Sequence, residues 1–258
     1  MSEAQSESFF GGNRVVSLNG GQPTVRLANG RYIYRMVSLG PAESHIVDDM
    51  GSFSVLCLSV GRGAGVTIGD QVDDVDNVLR AGDVARVERR TVVLTAGAGP
   101  GVLLVAGVRE QVRDQPSIEM TRAADHYRVS KPWGHELWFN GEHPAYVLKE
   151  VFIRGGNRTS LQYHHFKEET NLLVAGTAVL VYKADPAVAN DDAREGDLAS
   201  TTIQSPSFVH IVPGVLHRLI AESDVLLYEA STPHLDDVVR VQDDSGRQHG
   251  RIATEHRG

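Results

Sequence analysis

The chain has 258 residues, of which 41% are hydrophobic and 22% charged, a globular balance that excludes disordered and fibrous classes. A formal net charge of -8 leaves no basic footprint for a phosphate backbone, so small molecules rather than nucleic acid are the expected partners. Met1 to Phe10 has no basic or apolar leader region, and the longest apolar stretch, Gly101 to Val108, is too short to span a bilayer; a cytoplasmic protein with no membrane contact is expected.

Along the chain, short runs rich in Val, Leu, Ile and Tyr recur with Gly, Asp or Pro between them, and none sustains the period of a long amphipathic helix. The clearest runs, read as strands, are Val55 to Val60, Val92 to Ala96, Val102 to Val108, Tyr146 to Ile153, Asn171 to Tyr182 with a turn at Gly176, Phe208 to Val212 and Val225 to Ala230. Many short strands with glycine turns predict a sandwich, jelly roll or barrel. Cys57, the single cysteine, lies inside the first of these runs and reads as a small buried hydrophobe. The polar stretch 113–128 reads as a linker between residues 1–112 and 129–258, with a short helix over Ile118 to Ala124. Ala184 to Asp197 reads as a long surface loop. Of the histidines only His45 precedes the linker region, and the other ten fall at His126 or later, so the two halves cannot share one metal chemistry.

The informative stretch is Gly156-Asn157-Arg158-Thr159-Ser160-Leu161-Gln162-Tyr163-His164-His165-Phe166-Lys167-Glu168-Glu169. Gln162 and His164 are two apart, so an extended strand points both side chains to one face. Glu169 follows after enough chain for a tight reversal and is expected at the same depth on the neighbouring strand. His217 comes from far downstream, delivered by the Pro213-Gly214 turn. Two imidazoles, a carboxylate and an amide oxygen suit one divalent ion, with Zn the leading candidate and Mn, Fe, Co or Ni also compatible; the absence of thiolates argues against a closed structural zinc site.

The order of Gly156, Gln162, His164, Glu169 and Gly176, followed by Gly214 and His217, resembles the paired motifs of the cupin superfamily. Lys131-Pro132-Trp133-Gly134, Leu148-Lys149-Glu150, Ser160 to His165, and Asp236 to Arg240 with Asp243 to Arg247 are together similar to the cupin domain of type II phosphomannose isomerases. The resemblance covers about the last half of the chain. It implies an all-β bicupin of two jelly-roll barrels, the amino-terminal one degenerate and without a metal motif, and a homodimer. Thr170 and Asn171 depart from the family pattern, which usually has an aromatic residue after the glutamate, and the glycine-rich phosphate loop of a nucleotidyltransferase domain is absent.

The remaining candidates carry competing readings. Lys149, on an apolar strand, needs an anionic partner if it faces inward, and substrate is the natural one. Trp133 reads as a plug of the barrel end or as part of the site. His210 alternates with apolar neighbours and reads as a satisfied barrel histidine, His165 should point away from His164, and the aspartates at 236, 237, 243 and 244 read as solvated or capping groups. The expected function is a metal-dependent sugar or sugar-phosphate isomerase or epimerase working through an enediolate. Lys149, Lys167 and Arg247 are its catalytic candidates, the lysines or an uncoordinated histidine as base and Arg247 with Lys149 as phosphate binders. An Fe-dependent cupin oxygenase and a sugar-binding or regulatory cupin are the alternatives.

Overall fold

Alternation of inward apolar and outward polar side chains, with β-branched residues in the strands and glycine at the reversals, produces an almost purely β structure. The structure, a computed structural model, describes residues 31–69, 77–141, 143–183 and 198–255, together with the backbone of strands Ser6–Phe10, Asn13–Ser17 and Thr24–Ala28. The loop expected over 184–197 lies outside the described residues. Among the described residues the one helical element is the 3-10 turn Ala123–Asp125, and no helix is long and apolar enough to cross a membrane.

The chain forms two compact units. One contains Tyr127–Trp138 and Lys149–Gly258 with the two amino-terminal strands; the other contains Gly21–His126 and Phe139–Leu148. The expected division at 113–128 therefore differs from the observed one in two places. Ser6–Phe10 and Asn13–Ser17 extend a sheet of the carboxy-terminal unit, Asn13–Ser17 pairing with Ser207–Ile211. Residues Phe139–Leu148 return to the amino-terminal unit, where the Tyr146 hydroxyl meets Ser54 Oγ at 2.9 Å.

The helix expected over Ile118 to Ala124 is instead a strand, Ser117–Thr121, antiparallel to Val84–Glu88. Period two wins because Ile118 and Met120 both pack on the core of the amino-terminal unit, while Glu119 meets Arg86 across the ladder at 2.7 Å.

Each unit is a pair of facing antiparallel sheets. The amino-terminal unit has a six-stranded and a four-stranded sheet, and the carboxy-terminal unit an eight-stranded and a five-stranded one. In the latter, the strands Val147–Ile153, Glu169–Ala175, Ser207–Ile211 and Val225–Ser231 belong to the larger sheet; Leu161–Tyr163, Thr177–Lys183 and Leu216–Ala221 belong to the smaller. The apolar run from Asn171 to Tyr182 turns at Gly176 as expected, where a φ of +91° reverses the chain and a Cβ would lie 2.1 Å from the Asp224 carbonyl oxygen.

Along the inward rows of this barrel the chemistry changes with depth. Val151 and Ile153, Leu173, Val225 and Leu227 join Leu180, Ala221 and Trp133 in an apolar core, each fully buried aliphatic side chain stabilising the fold by roughly 1.5–3 kcal/mol. Continuing along the same rows at period two gives Lys149, Asn171 with Glu169, and Glu229, all charged or polar and all largely removed from solvent. Trp133 belongs to the apolar part, as the plug reading expected.

Cys57 is fully buried, and burial together with the nearby Asp83 charge pushes its thiol up to about 12. The native protein is therefore expected to leave Ellman's reagent unreacted at pH 8 and to release one equivalent of thiolate on denaturation. Fast labelling of the folded chain would contradict this placement.

Candidate metal centre and its buried charge chain

Three buried side chains, His164, Glu169 and His217, bring one ligand atom each to within 4.8 Å of one another. His164 Nε2 is 3.6 Å from Glu169 Oε2, His217 Nε2 is 3.4 Å from Glu169 Oε1, and the two imidazole centroids are 5.3 Å apart. They converge from both sheets. Glu169 opens a strand of the eight-stranded sheet, His217 lies on a strand of the five-stranded sheet, and His164 follows the end of Leu161–Tyr163. Glu169 thus faces the other ligands across the barrel and does not come from the strand next to Gln162, as the reversal after His164 had led us to expect.

Backbone carbonyls fix both histidine tautomers. His164 Nδ1 donates to the Asp237 carbonyl, and His217 Nδ1 donates to the Val215 carbonyl at 2.9 Å. A carbonyl only accepts, so each Nδ1 carries the proton and each Nε2 presents a lone pair. Both Nε2 atoms are buried and, among the described residues, accept no hydrogen bond. Burial, followed by the charge of Lys167, pushes the His164 imidazole down to about 3 and keeps it neutral, the state in which it ligates.

Gln162 lies opposite His217 in the ladder, its Oε1 accepting from Ser160 Oγ at 2.9 Å. Gly214, at φ +85°, docks the Pro-Gly turn by donating its N–H to the His164 carbonyl at 2.7 Å. The segment between His164 and Glu169 is held by Asp237, whose carboxylate accepts the N–H groups of His165, Phe166 and Lys167 at 2.9, 2.6 and 2.8 Å. Burial alone would raise the Asp237 carboxyl, but these three donors outweigh it and the net shift is downward. Sequence reasoning took Asp237 for a solvated or capping group; it caps the turn that carries one ligand and anchors that ligand through its own carbonyl.

Glu169 also begins a chain of alternating charges. Lys167 Nζ lies 2.6 Å from Glu169 and 2.7 Å from Glu229. Lys149 Nζ lies 3.1 Å from Glu229 and 2.9 Å from Glu136, and over the Trp138 ring at 5.4 Å. Lys131 Nζ is 3.5 Å from Glu136 and 2.8 Å from Glu255.

Burial would lower the Lys149 pKa, yet Glu136 and Glu229 reverse the sign and raise it; burial would raise the Glu136 carboxyl, yet Lys149 and Lys131 hold it at about 2. The partner of Lys149 is therefore protein carboxylate, where substrate had been expected, and a lysine held protonated in this way is a poor base. Arg247, the other anion-binding candidate, is paired with Asp243 at 2.7 Å.

Glu136 and Glu229 escaped the sequence reading. Each is a charge at an inward position of an apolar strand, the same signal that singled out Lys149. His210 is satisfied by Glu168 at 3.0 Å and Thr170 at 2.8 Å, and His165 is exposed, both as expected.

The amino-terminal barrel lacks the ligands for a reason its ladders make explicit. Both barrels carry a register shift in matching pairs of strands, beside Leu173↔Leu227 in one and Leu103↔Cys57 in the other. Counting back from it places Phe53 where Glu169 stands. In the facing sheet the pair Val47↔Val92 occupies the place of Gln162↔His217. All three replacements are fully buried apolar residues that fill the lumen.

Comparison with known proteins agrees with this architecture. The putative glyoxylate induced protein from Pseudomonas aeruginosa superposes with a TM-score of 0.63 at 11% identity, covering 89% of this chain and 92% of that one. The oxalate decarboxylase of Lactobacillus farciminis does so with 0.59 at 12% identity, covering 92% and 86%. The fold is that of a bicupin.

Residues 119–243 of the chain match the family described as mannose-6-phosphate isomerase C-terminal. The xanthan biosynthesis protein XanB of Xanthomonas campestris pv. campestris (strain B100) is 29% identical over 146 residues, which is 54% of this chain; the match spans only 28% of that relative's length.

The Asp237 cap makes a pH prediction. Its folded carboxyl lies below the ordinary value of 3.8, so the stability it contributes is present above about pH 4 and is lost as acid protonates the folded carboxylate. In urea unfolding, Asp237→Asn should be less stable than the parent at pH 7, and the gap should narrow as the pH falls below 3.8 and protonates the folded carboxylate. A gap that is independent of pH would contradict the carboxylate's role.

Proposed function

We propose that the carboxy-terminal barrel holds one divalent metal ion through His164, Glu169 and His217, with Gln162 as the fourth candidate ligand, and isomerises or epimerises a sugar or sugar phosphate through an enediolate. The observation that carries this reading is the pair of buried Nε2 lone pairs, both without a hydrogen bond among the described residues, beside one buried carboxylate. Burying such acceptors empty would be costly, and their natural complement is a cation.

Neutral imidazole, carboxylate and amide donors fit Zn, Mn, Fe, Co or Ni, and no thiolate selects among them. When bound, the ion would act as a Lewis acid towards substrate oxygens on which negative charge develops. The family match over residues 119–243 supports a sugar-phosphate substrate in preference to the other chemistries that cupin folds carry.

The chain's own residues divide the remaining work. Lys167, whose Nζ touches Glu169, is the nominated lysine nearest the ligand set; Glu169 and Glu229 hold it protonated, and we assign its Nζ to donate a hydrogen bond to the substrate oxygen on which negative charge develops. Glu229 orients it from the other side, and Lys149 balances Glu229. Lys149 serves as a fixed charge instead of the base. The apolar layer of Trp133, Leu173 and Leu227 closes the lumen beyond them to water.

Elemental mass spectrometry on protein purified without chelator should find close to one equivalent of a divalent metal, lost in Glu169→Ala and His217→Ala. Lys167→Met should keep the metal while turnover of sugar phosphates falls by about 100-fold or more. Protein that takes up no metal on reconstitution would overturn the reading and leave a binding module. Metal with no isomerisation of any sugar phosphate would retain the site and remove the reaction.

A further inference from the structure

The charge chain does not end inside the barrel. At its outer end Lys131 and Arg247 flank one carboxylate, Glu255, which is carried on a partly exposed turn, and Arg240 stands beside them against Asp243. Lys131 Nζ is 2.8 Å from Glu255 Oε2, while Arg247 Nη1 stands off from Glu255 Oε1 at 3.6 Å, too far for a hydrogen bond. Arg247 spends Nε and Nη2 on Asp243, at 3.0 and 2.7 Å, so Nη1 is the nitrogen turned toward Glu255.

Arg240 lies within electrostatic reach of both Arg247 and Glu255. Its side chain is 9% exposed, its Nη1 donates to the carbonyls of Gln248 and Gly250, and its buried Nε stands 4.0 Å from Asp243 Oδ2, with no hydrogen bond among the described residues. Three cations thus meet Glu136, Asp243 and Glu255, and Glu136 is shared with Lys149. Without Glu255 the cluster would carry an excess of positive charge in a poorly hydrated place, which is costly unless an anion replaces it.

Glu255 is well suited to leave. Among the described residues the turn that carries it closes with one backbone bond, Glu255 N–H to the Ile252 carbonyl at 3.0 Å, and Ala253 and Thr254 within it are exposed. Beside the cluster lies a cavity of about 220 Å³ lined by Trp133, Asn157, Arg158, Ser160, Asp243 and Arg247, so Arg247 can be reached from it. A carboxylate has two oxygens in one plane and satisfies Lys131 but not Arg247 Nη1. A phosphate group has oxygens in tetrahedral directions and could bond both, with Arg240 adding charge.

We propose that Lys131, Arg240 and Arg247 form a subsite for a phosphate group, and that the Glu255 carboxylate occupies it as an internal competitor which an incoming phosphate displaces. The identity of the ligand rests on the sugar-phosphate reading of this barrel, while the competition itself does not depend on the metal. Glu255 then sets a threshold: ligands carrying a phosphate open the subsite, and neutral sugars leave it closed.

Titration calorimetry with inorganic phosphate tests this directly. Glu255→Gln should bind phosphate about ten-fold tighter than the parent, because the competing charge is gone while the cations remain. Adding Lys131→Met, or separately Arg240→Gln, should erase that gain; two independent second substitutions, each checked by thermal melting, guard against one that fails to fold. No tightening in Glu255→Gln, or tightening that survives loss of both cations, would overturn the proposal. Protein that holds metal and isomerises sugar phosphates but shows no Glu255 effect would lose only this inference. Tightening in protein that takes up no metal would sink the proposed reaction and leave the subsite standing.

Discussion

The carboxy-terminal barrel is organised around one buried carboxylate. Removing Glu169 from water costs several kcal/mol unless the charge is met, and the Lys167 ammonium meets it from one side. On the other side stand the lone pairs of two neutral imidazole Nε2 atoms, which add no positive charge. Lys167 cannot be buried alone either, so Glu229 follows, then Lys149, Glu136, Lys131 and Glu255, each balancing the one before. A row of inward positions that would otherwise hold aliphatic side chains is thereby committed to charge. Such a chain adds little net stability compared with an apolar core of the same volume. Its retention in one barrel fits a catalytic or binding role, because the amino-terminal barrel fills the matching places with Val47, Phe53 and Val92.

That contrast between barrels also explains how two jelly rolls with matching register shifts come to look so different in sequence. Strand pairing and the apolar layer are met by many combinations of aliphatic residues, so they leave only a period-two pattern. A ligand set tolerates few residue types and leaves a motif. The amino-terminal barrel has kept its ladders and lost the motif, which is why its sequence offered strands and no chemistry.

Local features were legible. The strand Val92–Ala96 falls at its predicted bounds, the Gly176 reversal and the Pro213-Gly214 turn are where glycine's positive φ demands them, and Cys57 and Trp133 are in the core. The grouping of His164, Glu169 and His217 followed from spacing. What spacing could not supply was the partner strand. Whether Glu169 returns beside Gln162 or across the barrel depends on sheet topology, which is non-local, and the same holds for the return of residues 139–148 to the other unit. The strand at Ser117–Thr121 was mistaken for a helix because its alternation is short and its polar face carries helix-favouring Glu119. Lys149 was recognised as an inward charge, but its partners Glu136 and Glu229 lie on other strands and become neighbours only in the folded sheet.

The central claim is that the empty lone pairs of His164 and His217 and the Glu169 carboxylate are built for one cation. Anomalous scattering from a crystal grown with manganese or zinc tests it most directly. The account predicts a single strong peak at about 2.0–2.2 Å from both Nε2 atoms and a Glu169 oxygen. No peak at that position, in a crystal whose bulk metal analysis shows bound ion elsewhere or none at all, would contradict it.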